Sequence, residues 1–215
     1  MGFPADVEIL IMDDGSNPPL FFREMGLRNF RIMPTNNFQP WTQPEARNIG
    51  AKMARGEYLI CTDIDHIVTC GLVETVRKTA FDVVRFKREV AILDETGEFT
   101  QDRAELTRWG FPPENGLRIS AHGNSYAIKR ELFLELGGSQ QKAVYPNRDE
   151  VKLKRGIKKL EAAGKITRIP DDDRPYIYMF PNGRYSGDID CNPFGFFHNL
   201  KRGDAVYNNT RVEYA

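Results

Sequence analysis

An α/β fold, with a mixed, mostly parallel sheet flanked by helices, antiparallel additions and a C-terminal wrapping tail, follows from three features of the 215-residue sequence. Over the first eighty residues, short β-rich apolar runs alternate with segments of helical period, the pattern of strands joined by crossover helices. From 81 to 99 the apolar runs follow one another closely around a turn-forming Asp94-Glu95-Thr96-Gly97, which suits antiparallel strands. The last fifty residues are turn-rich and carry Tyr176, Tyr178, Phe180, Phe194, Phe196 and Phe197, a composition for wrapping rather than for a separate core. Residues 1–170 are therefore read as one domain in two halves, about 1–80 and about 81–170, with 171–215 a tail of the same domain.

The elements are justified in order. Residues 7–12, Val-Glu-Ile-Leu-Ile-Met, form a strand that stops at the turn chemistry of Asp13-Asp14-Gly15-Ser16. Phe30-Arg31-Ile32-Met33 is a second short strand, ended by Pro34. Thr42-Gln43-Pro44-Glu45 matches a capping box and announces a helix with Ala46, Ile49, Gly50 and Met53 inward, stopped by Gly56. Residues 57–62 read as a buried strand ending in Asp63-Ile64-Asp65-His66, and 71–80 as a helix through Val73, Val76 and Ala80. Strands follow at 83–86, 90–93 and 124–128. A short helix at 130–136 closes on Gly137-Gly138, and a longer one at 148–164 turns Leu153, Ile157 and Leu160 inward.

Composition narrows the function. Lys+Arg and Asp+Glu each count 30, so the net charge is zero and no overall basic excess exists to hold a nucleic-acid backbone. Mean hydropathy is −0.50 and no apolar run approaches the roughly 20 residues that span a bilayer. Cys61, Cys70 and Cys191 are odd in number and lack CxxC spacing, which fits neither a disulfide scaffold nor structural zinc and suits a reducing, cytoplasmic setting. The clusters Asp171-Asp172-Asp173 and Lys152-Lys154-Arg155-Lys158-Lys159 read as solvated surface.

Two strands deliver carboxylates to one place. Ligands of an open α/β sheet sit beyond the carboxyl ends of its strands, and Asp13-Asp14 and Asp63-x-Asp65 both lie there. Such carboxylates can hold a hard divalent cation that completes its shell with the phosphates of a nucleotide. A cation so placed would stabilise the charge that develops on a departing diphosphate. D-x-D alone recurs by chance, and its context is what gives it meaning.

In that context the sequence resembles the family-two, GT-A-fold nucleotide-sugar glycosyltransferases. The resemblance rests on the strand ending in Asp13-Asp14-Gly15-Ser16, on Ala46-Arg47-Asn48-Ile49-Gly50 in a helix, on residues 56–65 ending in Asp63-Ile64-Asp65, and on residues 123–138 as an acceptor-side strand and helix. It runs from about residue 7 to residue 160 and implies a GT-A-like, Rossmann-like sheet with a nucleotide and metal half followed by an acceptor half. By that resemblance Asp14 lies near the base or ribose, Arg47 near the phosphates or the acidic edge, and Asp63 and Asp65 at the ribose and metal. Asp13 is either a further nucleotide contact or a turn residue, and Arg47 either a ligand contact or a helix-face salt bridge.

The resemblance also implies a catalytic carboxylate after the Gly-Gly turn, where Asp149 and Glu150 both qualify, the alternative being that they favour the positive end of the following helix. A histidine from a late loop would join the metal, which points to His198 within Phe196-Phe197-His198-Asn199. Alternation aims His66 away from Asp65 and leaves it outside the metal set. His122 and Trp109 are weaker candidates for an acceptor pocket, Trp109 by stacking on a sugar or else by simple packing. The expected cofactor is Mn²⁺ or Mg²⁺ and the expected donor a nucleoside-diphosphate sugar, UDP-linked. The acceptor would be a glycan, lipid-linked or protein hydroxyl, with no nucleic-acid partner, and self-association is left open.

The sequence departs from the family at its start, which matches the second strand of relatives and not the first. Truncation, replacement of that strand by a partner or a later segment, or loss of efficient donor binding would each account for it. An unfilled slot would expose backbone hydrogen-bonding edges, so residues 176–180 are a candidate to occupy it. The leading expectation is an inverting, metal-dependent glycosyltransferase. The alternatives are a non-catalytic carbohydrate- or nucleotide-binding module derived from one, or a sugar-nucleotide nucleotidyltransferase.

Overall fold

The computed structural model of the chain describes residues 4–14, 16, 20, 29–37, 42–63, 66–94, 96, 98–109, 111, 114–119, 123–140 and 151–180. Among these, β1 (Ile9–Asp13) pairs in parallel with β2 (Phe30–Pro34), in register from Ile9 opposite Phe30 to Asp13 opposite Pro34. Helix α1 (Gln43–Met53) follows, then β3 (Tyr58–Cys61), the two-residue β4 (His66–Ile67) and α2 (Cys70–Lys78). Next come β5 (Val83–Arg85), β6 (Lys87–Val90), the hairpin of β7 (Ile92–Leu93) and β8 (Phe99–Thr100), α3 (Arg103–Arg108) and β9 (Arg118–Ile119). The order ends with β10 (Tyr126–Lys129), α4 (Arg130–Glu135), α5 (Val151–Ala162) and β11 (Tyr176–Met179).

Local chemistry explains most of these elements. Thr69 caps α2 by accepting from the Leu72 amide at 3.2 Å, and the helix buries Leu72, Val73 and Val76. Asp102 caps α3 by accepting from the amides of Ala104 and Glu105. The Asp94 carboxylate closes the β7–β8 turn by accepting from the amides of Thr96 and Glu98. Gly137 and Gly138 end α4 at φ of 78° and 66°, the left-handed region glycine enters without a Cβ penalty.

The sheet order corrects the expectation of a mostly parallel sheet. Strand β10 lies between β3 and β5 and runs antiparallel to both, so β3 and β5 are parallel to each other with an inverted strand between them. A second sheet has the order β4-β11-β6-β9, in which only β11–β6 is parallel. The cause is the long excursion after β6, through a hairpin and α3, which brings the chain back to the sheet from the opposite end. A second correction concerns residues 176–180. Tyr176–Met179 form an interior strand between β4 and β6, not the filler of a slot beside β1 or β3, and among the described residues β1 and β3 each remain at an edge.

The core has two faces around β10. Val84 and Ala127 pack with Leu72, Val76, Phe81, Phe86 and Ile177 on one side, whereas Val83, Tyr126 and Ile128 pack with Ala51, Phe133, Leu153 and Ile157 on the other. A third cluster, Val90, Ile92, Leu106 and Phe111, seals α3 against the second sheet. No helix among the described residues is long and apolar enough to cross a membrane.

Candidate functional site

The site grows from the end of β1. Asp13 is buried and spends both carboxylate oxygens on the following loop, accepting from the Ser16 and Leu20 amides at 2.9 Å each. That is the work of a turn residue, and it leaves the next residue outside. Asp14 is exposed, and its Oδ1 accepts from the Thr35 hydroxyl at 3.1 Å. The parallel register brings this about, because Asp13 sits opposite Pro34 and the chain leaving β2 therefore runs beside the chain leaving β1. The Thr35 amide also donates to the Asp13 carbonyl at 2.9 Å.

From there hydrogen bonds step to α1. The Asn37 amide donates to Thr35 Oγ1 at 3.3 Å, and its side chain donates to Glu45 in the first turn of the helix. Gln43 and Arg47, one turn apart on the same face, both reach Asp63 beyond the end of β3. Gln43 Nε2 donates to Asp63 Oδ1 at 2.8 Å and Arg47 Nη2 to the same oxygen at 2.7 Å. The Arg47 side chain is 9% exposed and that of Asp63 20%, so the pair is partly withdrawn from water and its charge-assisted bond is a firm one. Arg47 is thus a salt-bridge residue whose partner is a second predicted site residue.

A further cation stands at this edge. Arg85 ends β5 opposite Tyr126, which is itself opposite Cys61, two residues before Asp63. Among the described residues its buried Nε has no hydrogen-bond partner, and a guanidinium is the side chain best shaped for phosphate. In the sequence, residues 83–86 signal only a strand, and nothing there marks Arg85. Gln43 likewise reads there only as part of a capping box, although its spacing of four from Arg47 is visible. In the structure Thr42 makes no side-chain cap bond.

Asp14, Arg47 and Asp63 are therefore joined to one edge formed by the ends of β1, β2 and β3 and the N-terminus of α1, whose dipole favours anions there. His66 begins β4, where its amide donates to the Asp63 carbonyl at 3.3 Å and its Nε2 lies 3.5 Å from Ser125 Oγ. Asp65, His122, Asp149, Glu150 and His198 lie outside the described residues. Among the described residues no three His, Cys, Asp or Glu side chains gather as a metal cage. A hard cation held by one or two carboxylates plus substrate phosphates does not need one, and the oxygen chemistry of Asp63 fits such an ion.

Behind the edge, Asn48 joins α1 to the turn after α4. Its Nδ2 donates to the Ser139 carbonyl at 2.9 Å and its Oδ1 accepts from the Ser139 amide at 2.8 Å. The helix that carries Arg47 is thereby locked to the segment that follows Gly137-Gly138.

Comparison with known proteins adds one result. None of the curated proteins matches the chain. The sequence profile described as Glycosyl transferase family 2, however, matches residues 3–133, well over half of the chain. The matched span holds the Asp13-Asp14 turn, Arg47 with its partner Asp63, Asp65, and the β10 strand that inserts beside β3. On that match the chain belongs to glycosyl transferase family 2.

Proposed function

We propose that the chain is a metal-dependent, inverting glycosyltransferase of GT-A type, which moves a sugar from a nucleoside-diphosphate donor, UDP-linked, to a hydroxyl acceptor. The observation that carries this reading is the edge at which Arg47 and Gln43 hold Asp63 while Asp14 stands exposed beside it. In this reading Asp14 holds the base or ribose, and Arg47 faces the diphosphate. Asp13 supports the nucleotide through the loop it fixes. Asp63, Asp65 and His198 hold Mn²⁺ or Mg²⁺, which when bound supplies positive charge to the diphosphate leaving group. Arg85 adds a second cation to the phosphate side. Asp149 or Glu150 takes the proton of the acceptor hydroxyl, which must come within hydrogen-bond reach of it.

Thermal unfolding with a panel of nucleoside diphosphates, each with Mn²⁺ and each with chelator, tests the donor site. Ligand at about a hundred times its dissociation constant adds roughly 2.7 kcal/mol, a rise of about 5–10 °C for a chain of this size. One nucleotide should give that rise only with metal, and Asp65→Ala should abolish both the rise and sugar transfer. A cooperatively unfolding protein that responds to no nucleotide would overturn the assignment. A second reading, a binding module derived from such an enzyme, draws on the end of the family match at residue 133, before Asp149 and Glu150. It would be favoured by a nucleotide response without turnover.

A further inference from the structure

The outward face of the second sheet is unusual. Strand β11 alternates, with Ile177 and Met179 fully buried while Tyr176 and Tyr178 face the other way. The solvent side of such a sheet is ordinarily polar. Here its interior strand carries two tyrosines whose rings stack at 6.4 Å, and Phe99 of the β7–β8 hairpin meets Tyr178 edge-on at 4.5 Å. Beyond the end of the strand, Phe180 packs against the cluster of Val90, Ile92, Leu106 and Phe111 and meets Trp109 at 6.5 Å. Phe99 is 40% exposed, Trp109 42% and Leu93, opposite Phe99 in the hairpin, 39%.

Planar polar side chains border these rings. Register places Lys87 and Glu89 of β6 beside Tyr176 and Tyr178, and Arg118 of β9 beside Glu89. Lys87 Nζ lies 5.3 Å from the centre of the Tyr176 ring, Arg118 Nη2 donates to the Tyr176 hydroxyl at 3.0 Å, and Gln101 Nε2 donates to Glu89 at 3.1 Å. Rings that offer an apolar face, set among a few amide, carboxylate and guanidinium groups, suit a ligand that is apolar on the faces of its rings and hydroxylated at its rim. A pyranose has that character. A carboxylate in the middle of the face disfavours a nucleic-acid backbone.

The face also leads to the candidate site. Strand β4 pairs Ile67 with Tyr178 and His66 with Met179, and the His66 amide bonds to the Asp63 carbonyl. From Tyr176 to Met179 the strand spans about 10 Å, and its far end lies opposite His66, whose amide bonds to Asp63. We propose that the β4-β11-β6-β9 face is a binding track for an oligosaccharide acceptor, with Tyr176, Tyr178, Phe99 and Trp109 as stacking platforms and Glu89, Gln101 and Arg118 as hydroxyl partners. The proposal rests on the glycosyltransferase reading and names the acceptor class for it.

The chain has two tryptophans, so Trp41→Phe leaves Trp109 as the sole indole. This variant is titrated with cellohexaose, chitohexaose, maltohexaose and laminarihexaose while Trp109 emission is followed, with saturation-transfer NMR on the unsubstituted chain as a second readout. At least one hexasaccharide should bind saturably. Loss of one stacking ring in Tyr178→Ala or Phe99→Ala should weaken it about tenfold, whereas Tyr178→Phe keeps the ring and most of the affinity. Both alanine variants should keep any metal-dependent nucleotide response, and Asp63→Asn should keep glycan binding, so a failed track and a failed donor site give different results. The proposal is overturned if no hexasaccharide binds, or if binding is indifferent to both alanine substitutions. It is equally overturned if poly(U) binds in place of the glycans, or if the chain sediments as a dimer that Phe99→Ala disperses.

Discussion

Among the described glycines, Gly138 beside Asn48 sets the tightest demand. A Cβ on Gly138 would lie 2.2 Å from Asn48 Oδ1 and 3.1 Å from the Phe133 ring, at a φ of 66°. Gly138→Ala therefore meets strain of about 1–3 kcal/mol from the backbone alone, before the clamp is displaced. Asn48→Ala is a cleaner test, because it leaves the buried Ser139 amide and carbonyl without their partners at a cost of about 2–3 kcal/mol. Asn48→Asp should cost at least as much as alanine in urea unfolding at pH 7, because its carboxylate accepts from the amide but sets a charged oxygen against the buried Ser139 carbonyl. An aspartate variant as stable as wild type would mean that donation to the Ser139 carbonyl contributes nothing. Asp13 teaches a related lesson. Of its two readings, nucleotide contact or turn residue, the structure shows the second, because both its oxygens accept from the amides of Ser16 and Leu20.

Strand and helix positions were largely legible, because hydrophobic runs and turn residues act over a few neighbours. The strand read at 7–12 appears as Ile9–Asp13, the hairpin around Asp94 forms as expected, and α4 ends on its two glycines. The inward face of α1 was misread. Ala46 is buried as expected, but so are Pro44, Asn48 and Ala51, while Met53 is 42% exposed. A hydropathy pattern cannot count a buried amide, and Asn48 points inward only because Ser139, ninety-one residues later, answers both its groups. Strands β4 and β9, of two residues each, and helix α3 were equally invisible, since such short runs carry no period. At the site the Arg47–Asp63 contact was not readable as a pair, although both residues had been singled out.

Glu8 shows how one carboxylate ties elements together. It accepts from the Arg55 and Gly56 amides ahead of β3 and pairs with Arg31 of β2 at 2.8 Å. Burial alone would raise its carboxyl, but the Arg55 amide, the Arg31 guanidinium and the Gly56 amide outweigh burial and hold it below the ordinary glutamate value. A depressed folded value means that its contribution is complete above the unfolded titration, near pH ~4.3, and is lost as pH falls through the lower folded value. Glu8→Gln should cost about 1–3 kcal/mol at pH 7. The gap between the two proteins in urea unfolding should then close as pH falls below about 4. A gap that is constant with pH would show that packing rather than charge is what Glu8 supplies.

The inversion of β10 determines how the two halves of the chain relate. A parallel sheet assembled in chain order would have kept the earlier and the later half of the chain side by side, able to loosen separately. Instead β10, from the later half, is hydrogen-bonded to β3 of the earlier half along its whole length, with Tyr126 opposite Cys61 and Lys129 opposite Tyr58. Its side chains supply both cores, Ala127 to the cluster under α2 and Ile128 to the cluster under α4 and α5. The edge that holds Asp63 therefore cannot loosen without opening the cluster under α4 and α5. Ile128→Ala, which empties a fully buried position, should cost about 2–5 kcal/mol. Hydrogen exchange should then show α1 and β3 losing protection at the same denaturant concentration as α4 and α5, in the wild type and in the variant alike. If the α1–β3 peptides kept their protection while the α4–α5 peptides exchanged, the halves would be separate folding units and the shared strand a contact rather than a hinge of stability. Coincident loss would mean instead that substitutions anywhere along β10 change the Asp63 edge and the α4–α5 side together.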